Sequence, residues 1–189
     1  LFPLYIKQLP GVPALEIVLH RAWWAMVFVV ALLAWQRRFA WLRPVLAQPR
    51  ALATAAACAL LIGANWLLYV WAVASGRVLD ASLGYFINPL VNVLLGTLVL
   101  GERPRPVQWL AVALAAAGVG WLVLGAGEWP WVALLLAATF GLYGLLRKTA
   151  ALGPVEGLAL ETMLIAPFAG AGLLWLIAQG QDAITHQGP

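Results

Sequence analysis

Apolar runs long enough to cross a bilayer follow one another along almost the whole chain and leave room for little else. The hydrocarbon core of a membrane is ~30 Å thick and takes about 20 helical residues to cross. Six such runs are read, at 17–35, 51–74, 81–101, 107–124, 129–146 and 158–178. Their connections are short, and none is polar enough to form a soluble domain. Composition agrees: 64% of the 189 residues are hydrophobic and 10% charged, with a mean hydropathy of +0.92, which is too little polar surface to cover a soluble globule. A membrane β-barrel would alternate apolar and polar residues, whereas these runs are apolar on every side. The expected class is all-α, a polytopic helical membrane protein.

The chain opens on an apolar stub, 1–6, too short for a signal peptide and without a basic start or cleavage site. It reads as the last turns of a truncated first helix, and "THQGP" follows the last run directly. Assigning connections alternately to two sides, with Lys7 outside, collects Arg37, Arg38, Arg43, Arg50, Arg103, Arg105, Arg147 and Lys148 on one side. The other side holds Lys7 and Arg77, and Arg21 lies within a helix. This bias makes the richer side cytoplasmic, places the missing start of the chain there, and points to a bacterial inner membrane. Tryptophans fit the same layout, with Trp35, Trp41 and Trp109 near the inner interface and Trp71, Trp129, Trp131 and Trp175 near the outer one. The net charge of +4 is thus a lipid signal, and no nucleic-acid partner is expected. Cys58 sits mid-helix as a small packing residue.

An internal repeat organises the chain. The stub Leu1-Phe2-Pro3-Leu4-Tyr5-Ile6-Lys7 and the helix end Leu142-Tyr143-Gly144-Leu145-Leu146-Arg147-Lys148 share the order Leu, aromatic, helix-breaker, Leu, two further residues, base. Each is followed by the same tripeptide, Ala14-Leu15-Glu16 and Ala159-Leu160-Glu161. Five helices separate the paired elements, and an odd number inverts the second copy, an arrangement common in transporters. The division expected is a first repeat over 1–127 and the start of a second over 128–189, with about three helices missing beyond Pro189 on the repeat pattern.

The run "GYFINPLVNVLLGTLVLGERP", with Asn88-Pro89-Leu90 and the exit Leu100-Gly101-Glu102-Arg103, resembles the fourth helix of EamA-type members of the drug/metabolite transporter superfamily. With "LIGANWLLYVWAV", "LEIVLHR" and "YGLLRK", the chain is similar to the RarD-type permeases over nearly all its length. The resemblance implies ten helices in two inverted repeats of five, so that six full spans and the end of a truncated first helix form part of that fold. It also implies cytoplasmic termini, a central cavity opening alternately to each side, and export of metabolites or drug-like compounds.

Gly84, Asn88, Asn92 and Gly96 are spaced by four and form one ridge, with Tyr85 and Pro89 beside it. Lipid offers the amides no partner, so they face the bundle interior. Pro89 removes a backbone donor and crowds the carbonyl of Tyr85. Asn88, Asn92, Tyr85 and Pro89, with Asn65 at mid-depth in the earlier run, are candidates for a substrate pathway, or the amides only bond neighbouring helices. Among the acids, Glu16 precedes His20 by one turn and Arg21 follows directly, a cluster that either couples transport to protons or stays structural, with Arg21 snorkelling to water. Glu161, at the matching point of the second repeat, has no base beside it and is the stronger coupling candidate, unless it stays wet at its helix start. Glu102 is either a surface ion pair with Arg103 or Arg105, or a signature position for gating, as the resemblance implies.

Two other classes compete. A membrane-embedded enzyme needs clustered His, Asp or Glu, yet the chain holds two histidines, His20 and His186, far apart in sequence. No cofactor or metal site is expected, and no phosphate-binding glycine loop occurs. A non-transporting scaffold, or a bundle that dimerises with a second copy through Ala113, Ala117, Gly118 and Gly120, leaves its mid-membrane amides without a ligand. The expected partners are the bilayer and a small-molecule substrate.

Overall fold

Helix starts and stops are written in proline and glycine. The computed structural model describes residues 12–126 and 129–180 as α1 (Ala14–Trp35), α2 (Leu42–Leu46), α3 (Pro49–Ala74), α4 (Val78–Leu100), α5 (Pro106–Ala126), α6 (Trp131–Thr149) and α7 (Pro154–Ala178). Six of these are long and apolar enough to cross a membrane, so the protein is an all-α, polytopic helical membrane protein. The stub at 1–6 and the tail "THQGP" lie outside the described residues. Pro49 and Pro154 open α3 and α7 at the position where a missing N–H is harmless. These two helices therefore begin earlier than the apolar runs do. At the other end of α4, Gly101 takes φ 66°, and the Glu102 N–H returns to the Gly96 carbonyl at 3.0 Å.

One element is not expected from the sequence, the five-residue α2. Trp41 Nε1 donates to the Arg38 carbonyl at 2.8 Å just before it, and Val45 on its inner side packs with Ala55 and Leu160.

Between membrane helices the hydrophobic effect gives little drive, because lipid is as apolar as leucine, so close packing decides the arrangement. α3 is the hub and touches α1, α4, α6 and α7, while α4 lies along α6 and α1 along α7. Glycines mark the closest approaches. A Cβ at Gly84 would lie 3.1 Å from Leu136 Cβ and 3.3 Å from the Ala133 carbonyl, and one at Gly141 would lie 2.6 Å from Val91 Cγ1. α5 differs: it packs chiefly on α4, and its apolar window buries 0% of its residues. Ala113 and Ala117 are exposed, and a Cβ at Gly118 or Gly120 would meet nothing within 4 Å.

Ion pairs define two faces. Arg38 Nη2 meets Glu156 Oε1 at 2.9 Å, tying the 36–48 connection to the start of α7. Lys148 pairs with Glu102, tying the end of α6 to the 101–105 connection. The connections rich in arginine therefore share one face, called here the basic face. On the opposite face, Arg77 lies 5.7 Å from the Trp131 ring, which also meets Trp71 at 5.7 Å.

Candidate functional site

Polar side chains inside the bundle gather in two places. The first is a cavity of about 230 Å³ between α1, α3, α4 and α6, on the half of the bundle away from the basic face. At 1.5 Å per helical residue, Arg21 lies ~10 Å and Asn88 ~15 Å from the near ends of their helices, within the hydrocarbon layer. Arg21, Asn65, Trp66, Tyr69, Tyr85 and Asn88 line it. Asn65, Tyr85 and Asn88 are the residues that the sequence groups as a pathway. The other three are not grouped with them there: chain proximity assigns Arg21 to Glu16 and His20, and nothing singles out Trp66 or Tyr69. The available signal is spacing, since Asn65, Trp66 and Tyr69 fall on adjoining faces of α3.

Arg21 is partly exposed and lines this cavity. Its guanidinium lies 4.2 Å over the Trp66 ring, where the ring's negative face attracts the cation. Tyr69 and Tyr85 meet edge to face, with centroids 5.8 Å apart. The two cavity amides differ. Asn65 Nδ2 donates to the Leu136 carbonyl at 3.0 Å and to Thr139 Oγ1 at 2.9 Å, binding α3 to α6. Asn88 Oδ1 is buried with no hydrogen-bond partner among the described residues. Pro89 and Asn92 stand outside the cavity wall, and Asn92 Oδ1 lies near Gly144 on α6. The ridge is thus divided: Gly84 seats α6, Asn88 faces the cavity, and Gly96 lies beneath the Glu102 carboxylate.

The second place is near the basic face. Glu161, 1% exposed, accepts from Tyr143 Oη at 3.1 Å and lies 3.5 Å from Arg147 Nε. Arg147 also donates through Nη2 to the Gly153 and Pro154 carbonyls at 3.1 and 3.4 Å. The expectation of a Glu161 without a base, wet at its helix start, is therefore corrected. Because α7 begins at Pro154, Glu161 stands two turns inside it. Tyr143 and Arg147, one turn apart on α6, lie across the 150–153 connection, so side chains at similar distances either side of it meet. Gly157 faces Arg147 for the same reason, and a Cβ there would run into the guanidinium. Cys58, Arg147 and Glu161 line a second cavity of about 200 Å³.

Glu16 is fully buried (0%) in the first turn of α1, against a core that includes Ile17, Val70 and Val73. Ion pairs between described residues include those of Arg38, Arg77, Arg147 and Lys148. Glu102 pairs with Lys148 of α6 rather than with Arg103 or Arg105. Among the described residues, no three His, Cys, Asp or Glu side chains gather as metal ligands.

Membrane-crossing helices that enclose a cation, an orphan amide oxygen and a buried ion pair define a multi-pass membrane protein with polar sites inside the bilayer. Comparison with known proteins gives the family. The model of the EamA-like transporter family matches residues 1–124. An uncharacterized transporter of Pseudomonas aeruginosa is 51% identical over 94% of this chain and 58% of its own length. Protein RarD of Escherichia coli is 44% identical over 98% of this chain and 62% of its own. Chloramphenicol-sensitive protein RarD of Pseudomonas aeruginosa is 37% identical over 95% and 61%. No solved structure matches. The chain belongs to the EamA-like transporter family, with RarD proteins among its relatives, and spans about three fifths of the length of these relatives.

Proposed function

We propose that the full-length protein is a permease that exports small metabolites or drug-like compounds across the bacterial inner membrane by alternating access. One observation carries the reading. Arg21, Asn65 and Asn88 converge on one cavity at hydrocarbon depth, where polar groups are expensive to keep and commonly mark a solute path. Family membership and the transporter names of relatives support it. The name of one relative refers to chloramphenicol, which keeps neutral drug-like compounds among the candidate substrates. The excess of arginine on the basic face favours a cytoplasmic placement for that face and for the N-terminus. Inverted repeats, 1–127 and the start of the next over 128–189, are supported by the shared Ala-Leu-Glu tripeptides. Their acids, Glu16 and Glu161, are both buried, in opposite halves of the bundle. Glu161, beside a cavity and a base, is the coupling residue in this reading.

The test is efflux from proteoliposomes that contain the full-length protein and a defined mixture of amino acids, aromatic acids and chloramphenicol, followed by mass spectrometry. Loss of at least one compound faster than from protein-free vesicles, and slowed by Asn88→Leu, is expected. Equal loss of every compound from both kinds of vesicle overturns the reading. The exposed face of α5, with open space over Gly118 and Gly120, favours a second property, association with another copy of the protein. Cross-linking of cysteines placed at Ala113 and Ala117 in lipid tests it.

A further inference from the structure

The cavity between α1, α3, α4 and α6 is asymmetric in charge. Among the described residues its wall carries one formal charge, that of Arg21, and no carboxylate. The remaining wall is largely aromatic: Trp66 beneath the guanidinium, the Tyr69 and Tyr85 edge pair, and Phe140. The Trp66 ring holds the guanidinium 4.2 Å above it, and the five donors of that group allow it to hold a ligand beside any acceptor the protein supplies. Asn88 lines the cavity, and its Oδ1, closed off and without a hydrogen-bond partner among the described residues, comes within reach of a donor on the occupant when the amide turns toward the cavity. A volume of about 230 Å³ falls below the ~300–1,000 Å³ usual for ligand pockets, which favours a single ring over a polycyclic body.

We propose that this cavity selects a small organic anion: a carboxylate on Arg21, a flat ring between the aromatic walls, and a hydroxyl or N–H donor on Asn88. The proposal rests on the permease reading for its biological setting, but the selectivity is a property of binding alone. Charge-assisted bonds strengthen in a site of low dielectric, so a neutral isostere is disfavoured there and a cation is repelled. The depth of Arg21, ~10 Å inside its helix, places it below the level of phospholipid headgroups, so a soluble carboxylate is the occupant.

The full-length protein, purified in non-ionic detergent with phosphatidylcholine as the only lipid, is titrated with four probes. These are 3-(4-hydroxyphenyl)propionate, its primary amide, tyramine and chloramphenicol, followed by thermal shift and tryptophan fluorescence. The acid is expected to bind at least tenfold more tightly than the other three. Arg21→Gln should remove that margin, and Arg21→Lys should keep part of it. Removing the ring hydroxyl from the acid should weaken binding to the native protein but not to Asn88→Leu. An amide, tyramine or chloramphenicol bound as tightly as the acid overturns the proposal, as does an acid that does not bind. The native protein alone decides this, even if the Arg21 variants do not fold. Efflux from vesicles is scored separately: selective binding without transport removes the permease reading and leaves the anion site standing.

Discussion

Glu161 and Arg147 meet inside the bundle, Oε1 to Nε at 3.5 Å, with the carboxylate side chain 2% and the guanidinium side chain 17% exposed. The two partners are not equally provided for. Arg147 has carbonyl acceptors at Gly153 and Pro154 as well, whereas Glu161 has, among the described residues, the Tyr143 hydroxyl and Arg147.

Arg147→Gln should therefore be the more damaging change, at about 3–5 kcal/mol, because it strands a buried carboxylate. Glu161→Gln should cost about 1–2 kcal/mol, since the guanidinium keeps its carbonyls and partial access to solvent. Denaturation of the full-length protein in detergent measures both. Equal losses would mean that the two carbonyls contribute nothing.

Proton coupling gives a second expectation, resting on the permease reading. If the Glu161 carboxyl takes up and releases the coupling proton beside its cavity, Glu161→Gln should abolish the pH dependence of transport while insertion stays normal. Glu16→Gln, at a fully buried site beside an apolar core cluster, should change it less. Transport that keeps the same pH profile in both variants takes these acids out of the mechanism.

The two cavity amides should separate under the same substitution. Asn65→Leu breaks two hydrogen bonds between α3 and α6 and should destabilise by about 1–2 kcal/mol. Asn88→Leu removes an oxygen that has no partner among the described residues, so folding should be unchanged or slightly improved while transport falls. Folded yield in detergent and vesicle efflux, measured side by side, check this. A poorly folding Asn88→Leu that still transports would make this amide interhelical glue.

The spans are legible in the sequence because a hydrocarbon slab imposes one length on every crossing helix, and 20-residue apolar runs reveal it without knowledge of contacts. What packs beside what is not legible there. Asn65 and Asn88 are the same residue type at similar depth, and only the Leu136 carbonyl and the Thr139 hydroxyl on α6 tell them apart. The partner of Glu161 depends on where α7 begins, which Pro154 sets four residues before the apolar run. Chain proximity ties Arg21 to Glu16 and His20, whereas its ring partner, Trp66, comes from another helix.

Glycines on different helices should respond in opposite directions. Gly84→Ala pushes a Cβ against Leu136 and the Ala133 carbonyl and should cost about 1–3 kcal/mol through separation of α4 from α6. Gly118→Ala on α5 meets nothing within 4 Å and should stabilise by roughly 0.5–1 kcal/mol through helix propensity. Thermal unfolding in detergent reads both. Destabilisation by Gly118→Ala that occurs only in lipid would reveal a partner on that face.

Sidedness is tested by single cysteines at Arg43, Arg103 and Thr149 in a Cys58→Ala background. None should react with an impermeant thiol reagent added to intact cells, and all three should react after lysis. Labelling of any one in intact cells would place the basic face outside.

The contact between Arg147 and Gly157 also reaches into inheritance. A methyl group at 157 would occupy the space where the guanidinium lies, so alanine there requires the end of the Arg147 side chain to move aside, away from Glu161. A lineage that first shortens Arg147 frees 157 to accept alanine without that movement, whereas one that keeps Arg147 must shift the guanidinium from the Gly153 and Pro154 carbonyls as well. The two positions are therefore coupled, and the cost of a change at either depends on what the other already holds.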